Sequence, residues 1–501
     1  MFENLLILFG LLPFLIVFLG GIFTLAQVKE ERQFGFILIF IGAALIMNTI
    51  LLFVPDLSIE HSSISINQGQ LLLSELILFF GLILGYASRT NLSRVYHKDY
   101  VGVVYLVFLS CLIGLTLTRN LLLLVMFFLL AVVFLIQLFF FGEYEKEVFQ
   151  LKRFLTIAAM SFGFLSLGVL TTYLGHGTFD LPMIKTNIGQ NATLLDTFSM
   201  LLFLGGFGGI LGMIPFGMEH LREFFEESNP LSFKAFSILF TPVTLILLFN
   251  VLTSFTLPTV ANGTLFFLIG APGLTVTLLF IILELFGKFR AQSVSLKKVY
   301  GFSTAADVNI LLLIMSTLYL NEFQTTTPLA FFYLVLTIMV SKGLMYEALN
   351  PIFEDKENDV LDLKVLGGYY QMYPRLVYYL LGSVVVFCVP FFTGSGFLEL
   401  TLSIVFEMET IAPVNRALLT LVFILLLAWM LVFLLQLAVI IAECFFGKPK
   451  YRKITSYEKL EKIYHVTPIT LIIFFVALGI GQLISVSFLS GMNSIIGMLF
   501  V

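Results

Sequence analysis

Lys342 stands in the run Tyr333-Leu334-Val335-Leu336-Thr337-Ile338-Met339-Val340-Ser341-Lys342-Gly343-Leu344-Met345, and no charged residue occurs in the nineteen positions before it. A lysine near the centre of an apolar span costs roughly 2.5–3.5 kcal/mol on insertion scales, so such a residue is normally partnered or wet. Two arrangements fit the position. The long side chain can snorkel to the nearer headgroups. Alternatively the ammonium stays buried beside water and a carboxylate. There desolvation disfavours the charged form and the carboxylate favours it, and where the two nearly balance the group can take up and release a proton. The candidate carboxylates are Asp307, Glu399 and Glu284. Glu284 precedes Lys288 by four residues, so an ordinary i,i+4 pair explains it equally well. For Glu75 and Glu347 an interfacial position is the simpler expectation.

A second set of residues interrupts the apolar stretches. Pro215 follows the run Gly205-Gly206-Phe207-Gly208-Gly209-Ile210-Leu211-Gly212, Pro242 lies in mid-span, and Pro390 precedes Thr393-Gly394-Ser395-Gly396. One reading is close helix packing through small residues, with Gly205/Gly209 and Gly208/Gly212 at GxxxG spacing. The other is discontinuous helices. Unwound backbone survives at membrane depth only against protein or water, so it tends to mark an ion path. The glycine run follows no strand and opens no soluble helix, so it is not read as a phosphate loop.

Other chemistry is excluded. Cys111, Cys388 and Cys444 have neither CxxC nor Cys/His ligand spacing, so no metal, cluster or disulfide framework is expected. His61, His97, His176, His220 and His465 all fall in expected loops, where surface or interfacial roles are the default. No loop is longer than about 25 residues, which leaves no room for an extramembrane catalytic domain. The expectation is no cofactor, no catalytic site of the chain's own and no nucleic-acid partner.

The elements that hold these residues follow from composition. The sequence is 59% hydrophobic and 12% charged, with a mean hydropathy of +1.04 and a net charge of −4. A soluble domain carries about 25% charged residues. Lipid must therefore be the solvent for most of this surface. Apolar runs long enough to span recur from end to end and number about fourteen. The first has no basic leader and no small-residue cleavage site, and is read as a retained helix. Numbering the loops in order, the even loops and their helix ends carry only Arg119, Lys185 and Arg416. Apart from Lys342, the rest of the 27 Lys and Arg fall at the odd ones. The positive-inside rule then places odd loops in the cytoplasm and both termini outside, in what is read as a prokaryotic plasma membrane.

The fold class expected is an all-α polytopic membrane protein with about fourteen helices. The interruptions in spans seven and twelve lie five helices apart, which suggests two inverted five-helix repeats, helices 4–8 and 9–13. The chain divides into helices 1–3 (1–99), a first repeat (100–257), a second repeat (263–446), and a basic loop with a last helix (447–501).

Several stretches between about residues 100 and 446 resemble one family: the antiporter-like subunits of respiratory complex I, membrane-bound hydrogenases and Mrp-type cation/proton antiporters. Leu296-Lys297-Lys298-Val299-Tyr300-Gly301-Phe302-Ser303-Thr304-Ala305 is similar to the signature opening the family's tenth helix. Ile214-Pro215-Phe216 with Glu226, Glu227 and Pro230 resembles its loop after the seventh. Ser341-Lys342-Gly343-Leu344 resembles an element of the eleventh, and Pro390 through Glu399 one of the broken twelfth. The resemblance implies a non-redox subunit that moves H⁺ or Na⁺ inside a larger complex (NADH-quinone oxidoreductase-like or hydrogenase-like), with other membrane subunits and the bilayer as partners. A non-conducting spacer of such a complex and an Mrp-type component are the alternatives.

The departures concern the first half. Where the family has a glutamate in its fifth helix, the matching place is near Leu130. Its seventh-helix lysine corresponds to Ile210, its eighth-helix lysine or histidine falls near Pro242, and its loop histidine is Gly217, with His220 out of register. The resemblance thus leaves translocation mainly to the second half, through Lys342, Glu399, Asp307 and Glu284.

Overall fold

The computed structural model describes residues 7–26, 30–54, 57–61, 63–88, 98–141, 151–190, 193–213, 218–255, 260–286, 296–320, 326–353, 367–368, 370, 374–392, 413–447 and 463–484. Among these, eleven helices are long and apolar enough to cross a membrane, and three further apolar helices are shorter (Leu12–Leu25, Pro374–Phe387 and His465–Val476). Together they answer the expected spans one for one. The protein is an all-α polytopic membrane protein.

In chain order the helices are α1 (Leu12–Leu25), α2 (Glu30–Leu52), α3 (Gln68–Ala87), α4 (Lys98–Leu117), α5 (Leu121–Phe140), α6 (Lys152–His176), the short α7 (Leu181–Gln190), α8 (Leu194–Leu211), α9 (Glu219–Glu227) and α10 (Pro230–Phe255). They continue with α11 (Val260–Phe286), α12 (Leu296–Leu320), α13 (Thr326–Phe353), α14 (Pro374–Phe392), α15 (Pro413–Ile440) and α16 (Ile463–Ile484). The helix ends are written in the sequence. Asn120 accepts from the backbone N–H groups of Leu122 and Leu123 to start α5, and Asn67 with Gln70 forms a capping box on α3. Asn229 caps α10, with Pro230 at its first position, where a missing N–H costs nothing. Gly177 and Gly212 end α6 and α8 in the left-handed region, with φ of 66° and 78°.

Two loops contain more than the sequence reading supplied. Residues between α2 and α3 form a β-hairpin, β1 (Ser58–His61) with β2 (Ile64–Asn67), antiparallel with Ser58 opposite Asn67. It is the one departure from an all-α chain among the described residues. The loop before α8 holds α7.

The helices differ in what surrounds them. The spans of α12 and α13 are wholly buried and that of α10 nearly so, whereas only about a third of each of the spans of α2, α6 and α15 is buried. A helix that is apolar all round and buried is a core helix. The three helices α10, α12 and α13 therefore sit at the centre of the bundle, where polar side chains can be surrounded by protein instead of lipid.

The glycine run is mainly a packing device. A methyl group on Gly206 would collide with Leu165 and approach the Ser161 carbonyl, and one on Gly209 would meet the Ser161 hydroxyl. These glycines let α8 approach α6 closely. The facing pair is Gly206/Gly209, one residue out of step with the GxxxG pairs expected. Pro215 lies outside the described residues. Pro242 does not break α10. Instead the backbone widens into a π-helical stretch, Ala235–Phe240, just before it. Pro242 has no N–H for the Ile238 carbonyl and its ring crowds that turn, which a wider turn relieves. The helix α14 runs through Pro390 to Phe392. Gly394, Gly396 and Glu399 lie outside the described residues.

Candidate functional site

Lys342 is buried, 1% exposed, and forms an ion pair with Asp307, itself 2% exposed. The snorkelling arrangement is not the one observed. The lysine nitrogen also donates to Thr304 Oγ1 at 3.1 Å. Trp429 Nε1 donates to Asp307 Oδ1 at 3.2 Å. Three helices thus converge: α13 supplies the ammonium, α12 the carboxylate and a hydroxyl, and α15 the indole. Thr304 and Asp307 are three residues apart and so share one face of α12, which is why a single lysine reaches both.

A second buried pair lies five residues further along α13. Lys234 Nζ donates to Glu347 Oε1 at 2.8 Å, with both side chains at most 2% exposed. Thr467 of α16 donates to Glu347 Oε2 at 3.3 Å. At 1.5 Å rise per residue, Glu347 sits about 7.5 Å along the helix axis from Lys342. Lys234 ends the first turn of α10, immediately before the π-helical stretch. A buried charge of either sign is tolerated only when paired and hydrogen-bonded, and all four charged groups here meet that condition.

The two pairs are separated by hydroxyl-bearing residues. The Tyr346 ring packs edge-on against Tyr300 and Phe233, at 4.9 and 5.2 Å between centroids. Tyr346 is wholly buried. Beside them Ser237, Thr241, Pro242, Leu245, Asp307, Leu311, Val335 and Ile338 line a cavity of about 10 Å³. That is close to the room needed for one water molecule.

The remaining candidates are placed as follows. Glu284 is half-buried near the end of α11 and is not part of the hydrogen-bonded set around Lys342. Glu347 is buried at the second pair, not interfacial. Glu75 accepts from Asn48 Nδ2 at 2.7 Å and Thr49 Oγ1 at 2.6 Å, linking α3 to α2. Two histidines are not surface groups. His176 Nε2 and Asp196 Oδ1 are 2.7 Å apart at the junction of α6 and α8. His220 of α9 is buried, with Nε2 3.4 Å from the Ile210 carbonyl oxygen and its ring against Phe154. Leu130 is lipid-side, 39% exposed, and Ile210 is fully buried.

Lys234 and Trp429 were the residues the sequence hid. Lys234 counts among the basic residues of an odd loop until Asn229-Pro230 is read as the helix start, which puts the lysine a full turn inside α10. Trp429 is the single tryptophan, set in mid-span, and a buried indole N–H needs an acceptor. That need was the available signal. Among the described residues no cluster of His, Cys, Asp and Glu could hold a metal ion.

No protein-family model matches the sequence, and no curated protein matches it. Solved structures do match in fold. A chain of the Mrp complex from Dietzia sp. DQ12-45-1b aligns with a TM-score of 0.78 at 14% identity, covering 100% of this chain and 97% of that one. A chain of the membrane-bound sulfane sulfur reductase, an archaeal respiratory membrane complex, aligns with a TM-score of 0.74 at 15% identity, covering 95% of this chain and 78% of that one. The protein shares the fold of subunits from these membrane complexes.

Proposed function

We propose that this chain is a non-redox membrane subunit of an energy-converting complex, and that it contributes to moving H⁺ or Na⁺ mainly through its second half. The observation that carries the reading is the Lys342–Asp307 pair held by Thr304 and Trp429 in the middle of a buried helix cluster. Replacing a buried ion pair by apolar residues of similar volume is often neutral or stabilising. Stability alone therefore gives little reason to keep four charged groups at the centre of a bundle. An ammonium and a carboxylate in contact can lend and recover a proton when a neighbouring charge shifts, and that is the element a translocation subunit needs. The chain's own contribution is positional. Thr304 and Trp429 fix the two charges, and α10 and α13 exclude lipid.

The full-length Mrp match favours an Mrp-type cation/proton antiporter component as a second reading. It leaves almost none of the matched chain uncovered, whereas the respiratory match leaves about a fifth.

Both readings are tested by Lys342→Ala and Asp307→Asn in the isolated complex, reconstituted into liposomes containing a pH-sensitive dye. Loss of ion movement with the subunit composition intact supports translocation. Normal movement in both variants reduces the chain to a spacer. Replacing the energy source then separates the two readings: an imposed Na⁺ gradient drives an antiporter component, and electron transfer drives a redox complex.

A further inference from the structure

We propose that Glu75 is a docking point for a neighbouring membrane subunit: a transmembrane helix of that subunit lies along α2 and α3 and sets a lysine or arginine side chain against the Glu75 carboxylate. The inference rests on the reading above that the chain works inside a larger membrane complex.

Glu75 stands about 10 Å in from the start of α3. At that depth of a span a charge is tolerated only when paired. Asn48 Nδ2 donates to its Oε2 at 2.7 Å and Thr49 Oγ1 to its Oε1 at 2.6 Å. Neither donor is a cation, and Thr49 divides its single proton with the Leu45 carbonyl oxygen at 2.8 Å. Asn48 also donates to the Leu71 carbonyl oxygen at 2.8 Å. Turning its amide over would set two oxygens against each other there, so its N–H side is the one that meets Glu75. An ionised carboxylate has about four acceptor sites, so these two donors leave it room for a further partner, and Glu75 is only half-buried.

Among the described residues no basic side chain pairs with Glu75. The sequence gives the reason. Glu75 is nearest the even-loop end of the bundle, whose only lysines and arginines are Arg119, Lys185 and Arg416. Arg119 pairs with Asp180, Lys185 is on α7, which packs against α10, and Arg416 is in the first turn of α15. No lysine or arginine follows Lys462, so α16 and the residues after it bring none. A second copy of this chain would bring only these same cations. The occupant is therefore a different chain.

The surface beside Glu75 has the spacing of a helix seam. On α2, Gly35, Gly42 and Thr49 recur every seventh residue, and Leu38, Leu45 and Leu52 repeat with the same period three places on. That is the a/d pattern by which helices interlock. All six residues are exposed or half-exposed, and a methyl group added at Gly35 or Gly42 would meet nothing within 4 Å. Small residues let a second backbone come close in a membrane. Thr49, the last of them, is the residue that bonds Glu75, so the seam and the carboxylate meet at one place.

The test uses the complex in which the chain is isolated. A benzoylphenylalanine photocross-linker replaces Ile46, which is 62% exposed and one turn from Gly42. It should link to a span of another subunit that contains a lysine or arginine. Glu75→Gln should lower the yield of that link, and the amount of that subunit kept through detergent purification, at least about ten-fold, the scale of one lost hydrogen bond to a charged group. Gly42→Leu should do the same by filling the seam. Its side chain enters open space on this chain, so the chain's own melting temperature should hold, and this variant decides the matter if Glu75→Gln unfolds. The proposal is overturned if either variant, folded, gives a smaller loss. It is also overturned if the wild-type link maps to lipid, to a second copy of this chain or to a span without a basic residue. If the wild-type chain purifies with no other membrane subunit, it is the complex-membership reading that fails.

Discussion

The two halves of the bundle are filled with different materials. Around Ile210 the first half is aromatic. Phe128 packs against Phe207 and Phe240 at 4.8 and 5.5 Å, and Phe224 against Phe154, Phe236 and Phe139 at 4.8–5.2 Å. Close approach of α8 to α6 comes from glycines, and the places where the resembling family would carry charge are occupied by Leu130, Ile210 and Pro242. Around Lys342 the second half is polar, with Asp307, Thr304 and Trp429 joined by an ion pair and hydrogen bonds. Lys234 and Glu347 join the halves, one from α10 and one from α13. The difference shows that a shared helical frame does not require a shared interior. The frame is held by apolar packing and small-residue contacts in both halves, while the buried lysines lie only in the second half and at the seam among the described residues.

The comparison can be broken most severely inside the polar half. Lys342→Ala leaves Asp307 buried without its cation, and breaking such a pair costs about 3–5 kcal/mol. Thermal unfolding in detergent should show the loss, and the double variant Lys342→Met/Asp307→Leu should recover most of it. If the double variant is no more stable than the single one, the pair is not the source of the cost.

Adding charge to the apolar half is the mirror experiment. Ile210→Lys puts an ammonium among phenylalanines with no carboxylate among the contacts described for that site. It should cost several kcal/mol and give no ion movement in a Lys342→Ala background. Conduction by that double variant would mean that the first half is a dormant path and not a packed one.

A milder break is steric. Gly206→Leu drives a side chain into Leu165 and the Ser161 carbonyl, and overpacking of this kind costs about 1–3 kcal/mol. The melting temperature should fall while ion movement per folded complex holds. An effect of similar size on stability is expected at Trp429→Phe, which removes one hydrogen bond to Asp307 worth roughly 1.5–3 kcal/mol to a charged acceptor and keeps most of the ring packing against Phe387. Its readout is a slower rate without loss of the subunit.

Much of the frame was legible because lipid imposes a simple rule: a span must be long and apolar, so its position shows in the sequence. The lone charge at Lys342 was legible for the same reason, and Asp307 as a partner followed from its place two turns into the next buried helix. The rest depends on which helices end up side by side. Glu347 reads as interfacial until α10 is seen to bring Lys234 against it. Lys234 reads as a loop cation until the helix start is fixed at Asn229. The hairpin was missed because Ser-Ile-Glu-His and Ile-Ser-Ile-Asn are short alternating runs, whose period of two is easily lost between two long helices.

That hairpin has a mechanical consequence. Ile64 bridges to Thr118, Arg119 clasps Asp180 with two hydrogen bonds of 2.5 and 2.8 Å, and Asn120 bridges to the same aspartate's backbone. The ends of α2, α3, α4, α5, α6 and α7 at this side are thereby sewn into a single plate. A tilt of these helices would have to pivot there, and elsewhere Lys297 and Lys298 grip the end of α9 and the turn into α10.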